Sequence, residues 1–113
     1  MQYICVYCAS STQIHSDYFQ AADKLGKILA EANITLIYGG GATGLMGQVA
    51  DSSLASGGKV IGIIPQFMCD EKWEHNGVTE LIVTESMHER KEKMALIADA
   101  AVALPGGCGT MEE

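Results

Sequence analysis

At 113 residues the chain suffices for a single domain, which buries roughly 65% of the surface its unfolded form exposes. Apolar residues make up 48% and charged residues 19%, the balance of an ordinary globular protein, which excludes a disordered chain. A net charge of −7 excludes broad attraction to a nucleic-acid backbone, although a local cluster of N–H groups can still hold a small phosphorylated ligand.

Residues 2–8 (QYICVYC) are apolar and rich in β-formers, and predict a buried first strand. Ser10 and Ser11 follow in a polar loop. From about Ser16, Tyr18, Ala22, Leu25, Leu29 and Ala32 recur at alternating spacings of four and three, the face of an amphipathic helix that stops near Asn33. Residues 34–38 (ITLIY) predict a second strand running into GGGATGLMG, then a helix to about Ser56, ended by Gly57 and Gly58. Residues 59–64 (KVIGII) predict a third strand closed by Pro65. Residues 66–77, acidic and holding the single Trp, Trp73, read as irregular. A short fourth strand (81–84), a helix from Met87 to about Asp99 and a fifth strand (100–104) complete the pattern. Such alternation predicts an α/β fold, Rossmann-like, with a parallel sheet covered by helices on both faces. Ligands in such sheets bind outside the carboxyl ends of the strands.

Cys5 and Cys8 form a C-x-x-C in or at the end of a strand, where odd spacing sends the two side chains to opposite faces. A redox C-x-x-C opens a helix instead, so these cysteines read as buried structural thiols. His15, His75 and His88 show no ligand spacing with the four cysteines, and no metal is expected. The start shows no basic segment with a cleavage site, and the most apolar stretch, 95–104, is too short to span a bilayer. A cytoplasmic protein without a membrane or nucleic-acid partner is expected.

Gly39, Gly41 and Gly44 match G-x-G-x-x-G between a strand and a helix, where glycines allow positive φ and close approach to a phosphate at a helix N-terminus. The dinucleotide reading also needs an acidic residue ending the next strand, and Ile63-Ile64-Pro65 supplies none. No cofactor is therefore expected. A tight turn without a ligand and a phosphate or ribose contact both fit. Pro105-Gly106-Gly107-Cys108-Gly109-Thr110 has the same logic after the fifth strand, and two such loops could hold one nucleotide.

Met87, Arg90, Met94 and Ile97 share one stripe of their helix, which turns Arg90 inward; Glu89, Glu92 and Lys93 point more outward. A guanidinium there takes a structural partner or an anionic ligand, whereas Lys91 by itself reads as solvated. Thr110-Met111-Glu112-Glu113 fits a T-x-x-E capping box, so Glu113 either folds back onto the Thr110 N–H or stands over the pocket.

SMHERK, followed by LPGGCGTMEE and preceded by YGGG-x-x-GLMG, closely resembles the Lonely Guy (LOG) family from Ile4 to Glu113. The resemblance implies a phosphoribohydrolase that releases a free base from a nucleoside 5′-monophosphate, either a cytokinin riboside monophosphate or AMP. It makes Arg90 and Glu113 the catalytic pair. It implies substrate contacts from Lys91, Gly106, Gly107, Cys108, Gly109, Thr110, Met111 and Glu112, with Met87 of the same motif and Gly40, Gly41 and Gly44 as further binding candidates. It also implies a homodimer. Where many relatives carry a glutamate eighteen positions before the arginine, this chain has Lys72, flanked by Glu71 and Glu74. Relatives continue past the PGG motif, so one Rossmann-like domain over 1–113, cut short after the fifth strand, is the expected organisation. A nucleotide-binding or carrier module without chemistry is the alternative. Lysine decarboxylation, an older label in the family, needs a cofactor-bearing lysine that the sequence does not suggest.

Overall fold

The computed structural model describes residues 2–7, 16–42, 44–70, 72 and 74–103. Among these residues five strands and four helices follow in order: β1 (Tyr3–Tyr7), α1 (Ser16–Glu31), β2 (Thr35–Tyr38), α2 (Gly44–Ala55), β3 (Val60–Pro65), α3 (Gln66–Asp70), β4 (Glu80–Thr84), α4 (Met87–Ile97) and β5 (Ala100–Ala103). The strands form one sheet in the order β4-β3-β2-β1-β5, and every neighbouring pair is parallel.

The order explains the layering. From β1 to β3 the chain steps in one direction across the sheet, and right-handed crossovers then put α1 and α2 on one face. The step from β4 back to β5 reverses direction and puts α4 on the other. Strand alternation matches. Leu36, Tyr38 and Val6 pack with Ala22, Leu29, Leu45, Val49 and Ala50 under α1 and α2. Cys5, Ile37 and Ile63 pack with Met94 of α4. Cys5 is fully buried, as expected of a structural thiol; Cys8 lies outside the described residues.

Three expectations are corrected. Residues 66–70 are helical, not irregular: α3 is a single turn with Gln66 Nε2 donating to Asp70 Oδ1 at 3.0 Å, too short to show periodicity. In α1, Tyr18 is 39% exposed and Ala32 lies beyond the helix; Gly26 and Ala30 occupy the buried face instead. In α4, Glu89 and Lys93 are half-buried, and Glu89 accepts the Glu85 N–H while its own N–H caps onto Ser86 Oγ at 3.1 Å.

Gly26 sets how closely α1 and α2 approach. A Cβ there would lie 2.7 Å from the Val49 carbonyl oxygen, 2.8 Å from Ser52 Cβ and 2.9 Å from the Ser53 nitrogen. Gly26→Ala gains about 1 kcal/mol of helix propensity. Forcing packed atoms apart costs about 1–3 kcal/mol, and three contacts this short, two of them with backbone, place this site at the upper end. A net loss of about 2 kcal/mol is expected as a lower urea midpoint with an unchanged slope.

Asp99 ties the α4–β5 junction to the start of β1. Its Oδ2 accepts the Gln2 and Tyr3 N–H groups, both at 3.0 Å, and its own N–H donates to the Tyr3 carbonyl at 2.8 Å. The Gln2 and Tyr3 N–H bonds hold its carboxyl below the usual range. A depressed folded-state pKa stabilises the fold above the unfolded value of about 3.9 and loses that contribution as pH falls through the folded value. Asp99→Asn should therefore melt below the parent at neutral pH, and the two melting curves should converge as pH falls through the depressed folded-state value.

Candidate functional site

The carboxyl ends of β2 and β3 meet the first turn of α4. That turn starts cleanly because Ser86, in an extended conformation, caps it. Arg90, one turn in, therefore points back over the strand ends, and it is 3% exposed. Its Nε donates to the Ile63 carbonyl at 2.9 Å and its Nη2 to the Gly39 carbonyl at 2.8 Å. Nη1 lies 3.5 Å from Met87 Sδ. Hydrogen bonds from a charged donor contribute about 1.5–3 kcal/mol each, which offsets burial of the guanidinium. The strand ends themselves hold this charge in place.

The glycine loop fits around that group. A Cβ on Gly39 would occupy the place of Arg90 Nη2 and lie 3.0 Å from Met46 Cε. Gly40 has φ +81° with Ile64 Cβ against the position of a side chain, and Gly44 opens α2 at φ +62°. All three loop carbonyls are engaged within the chain. Gly39 accepts from Arg90, Gly40 from the His75 N–H at 2.8 Å, and Gly41 from Tyr38 Oη at 2.9 Å. The Gly41 N–H faces Met46 Sδ at 3.2 Å. Gly39 thus serves close approach by an arginine, a role the G-x-G-x-x-G spacing does not reveal.

Of the other sequence-identified residues, Met87 is half-buried beside Arg90 and Lys91 is exposed. Lys72 is exposed at φ +62°. Glu74 is half-buried and bridges its backbone to Gly41; its Oε2 is buried and has no hydrogen-bond partner among the described residues. Glu71, Trp73 and residues 106–113, including Glu113, lie outside the described residues. Three contributors escaped the sequence reading: Met46, and the pair His75 and Asp51. The Cys69 thiol is pushed up by burial and then by the Glu74 and Asp70 charges, which disfavours a nucleophilic thiolate. Among the described residues no group of three or more His, Cys, Asp or Glu could hold a metal, and no helix is long and apolar enough to cross a membrane. A cleft of about 380 Å³ opens at the opposite, amino ends of the strands, between Gln2, Asn33 and Lys59. It contains none of these groups and lies away from the end where parallel sheets bind ligands.

Residues 46–113 match the family model described as possible lysine decarboxylase. The chain belongs to the possible lysine decarboxylase family. A probable cytokinin riboside 5′-monophosphate phosphoribohydrolase, LOGL9 of Oryza sativa subsp. japonica, is 47% identical over 110 residues, covering 97% of this chain and 48% of its own. The cytokinin riboside 5′-monophosphate phosphoribohydrolase of Rhodococcoides fascians is 43% identical over 111 residues, 97% of this chain and 56% of its own. The Lonely Guy resemblance is thereby shown, and the chain spans about half the length of these curated relatives. The molybdenum cofactor carrier protein of Chlamydomonas reinhardtii superposes with a TM-score of 0.84 at 27% identity, over 99% of this chain and 67% of that one. This likeness and the sheet order establish the Rossmann-like fold of this member of the possible lysine decarboxylase family.

Proposed function

We propose that this chain acts as a single nucleotide-binding domain of a phosphoribohydrolase, cleaving the N-glycosidic bond of a nucleoside 5′-monophosphate. Water adds at C1′, the C1′–N bond breaks, and the base leaves with a proton, giving free base and ribose 5-phosphate. The observation that carries the reading is Arg90, a buried guanidinium pinned at the carboxyl ends of β2 and β3. Fixed cationic donors of this kind stabilise negative charge without reorganising during the reaction, here that of the 5′-phosphate, the Glu113 carboxylate or the departing base. The glycines of both loops, Gly40, Gly41 and Gly44 with Gly106, Gly107 and Gly109, are proposed to cradle the nucleotide, with Lys91, Met87, Cys108, Thr110, Met111 and Glu112 around it. Bond cleavage builds positive charge on the ribose, as in glycoside hydrolysis, and Glu113 is the carboxylate proposed to oppose it and orient the water. A cytoplasmic homodimer belongs to the same reading, and light scattering of the purified protein tests its dimeric part.

A second reading, a carrier that binds a nucleotide-like ligand without chemistry, is favoured by the likeness to the molybdenum cofactor carrier. Incubation with AMP and isopentenyladenosine monophosphate separates the two. Release of free base and ribose 5-phosphate supports hydrolysis; binding without base release supports the carrier.

A further inference from the structure

The hydrolase reading uses neither His75 nor Asp51, yet these two residues connect α2 to the loop that holds Arg90. The Gly77 N–H donates to His75 Nδ1 at 2.9 Å. Nδ1 is therefore the acceptor, and the ring proton sits on Nε2, which meets Asp51 Oδ1 in a short hydrogen bond. The ring is 13% exposed and the Asp51 side chain 64% exposed. The His75 backbone N–H donates to the Gly40 carbonyl, and its neighbour Glu74 forms an antiparallel bridge with Gly41. So α2 holds the ring, the ring fixes segment 74–77, and the segment is pressed against Gly40 and Gly41. One residue before Gly40, the Gly39 carbonyl receives Arg90 Nη2.

From this chain of contacts we infer that Asp51 and His75 form a positioning clamp for Arg90, acting through the Gly39–Gly41 loop and not through contact with substrate. The inference rests on the hydrolase reading for its kinetic consequence but not for its structural one. A loop released from one side no longer sets its Gly39 carbonyl where the guanidinium needs it, and a misplacement of about 1 Å can cost about 10²-fold in rate. Because the clamp is indirect, the loss should be smaller.

Two readouts test it. In steady-state hydrolysis of AMP, His75→Ala and Asp51→Ala should each lower kcat about tenfold with KM within about twofold of the parent. The double variant should be no slower than either single one, since both break one device. Asp51→Asn keeps an acceptor for Nε2–H and should restore most of kcat. Independently of turnover, the Arg90 Nε–H resonance in ¹⁵N NMR should be protected from exchange in the parent and lose protection in His75→Ala. Unchanged kcat and unchanged Nε–H protection would overturn the clamp, as would additive losses or a rise in KM alone. If no nucleotide is hydrolysed by the parent, the hydrolase reading fails and the NMR arm alone decides the clamp. If His75→Ala does not fold, the exposed partner variant Asp51→Ala decides it by the same signal.

Discussion

Arg90→Lys should cut turnover about 10²–10³-fold, the loss typical of removing one preorganised donor from negative charge in the transition state. The argument is geometric. The guanidinium satisfies the Ile63 and Gly39 carbonyls with two differently directed N–H groups, Nε and Nη2. An ammonium is a point charge on a flexible stem and cannot reproduce that fork. One carbonyl is left without its donor, at a cost of about 1–3 kcal/mol in stability, so the variant should fold with a lower melting temperature. Gly39→Ala probes the same contact from the other side: the arginine stays, but the new methyl takes the place of Nη2. If the position of the guanidinium is what matters, Gly39→Ala should lose turnover by a comparable factor. Combining it with Arg90→Lys should then add little. Measuring kcat on AMP alongside thermal unfolding of all three variants checks this. Full turnover in Gly39→Ala would show that Arg90 does not act from the place it occupies.

The layered fold was legible because it is written in periodicity. Strands such as 34–38 are short apolar runs between glycine or polar breaks, and α4 carries Arg90 and Met94 on one stripe, both buried. What escaped has a physical reason in each case. One-turn α3 has no room for a period. Glu89 read as outward because its stripe position is polar, although Ser86-x-x-Glu89 is a capping signal that the sequence did display. The acceptors of Arg90 are backbone carbonyls, which have no residue signature; only the glycine at position 39 hints that something approaches closely. Asp51 in α2 and His75 in the loop before β4 are twenty-four residues apart, so no local spacing could pair them. The G-x-G-x-x-G match was real as a string, but Gly39 answers to an arginine and the Gly41 N–H to a methionine sulfur.

Glu113→Gln should lower turnover about 10²–10⁴-fold, the contribution of a positioned acid–base group, while leaving nucleotide affinity and the unfolding midpoint close to those of the parent. The substitution separates the two roles open to this residue. In T-x-x-E the side chain can reach back to the Thr110 N–H, and glutamine serves that box as well as glutamate does. A pure cap would thus survive the change, and even its complete loss would cost only about 0.5–2 kcal/mol of stability. A carboxylate opposing positive charge at C1′ would not survive it, because the amide is neutral and cannot accept a proton from water. Comparing base release in a single turnover with AMP binding by calorimetry distinguishes the outcomes. Loss of release with retained binding assigns Glu113 to the chemistry. Undiminished release assigns it to the capping box and leaves Arg90 to act with another carboxylate, for which Glu74, bridged to the loop at Gly41 and with no partner for Oε2 among the described residues, is the first group to substitute.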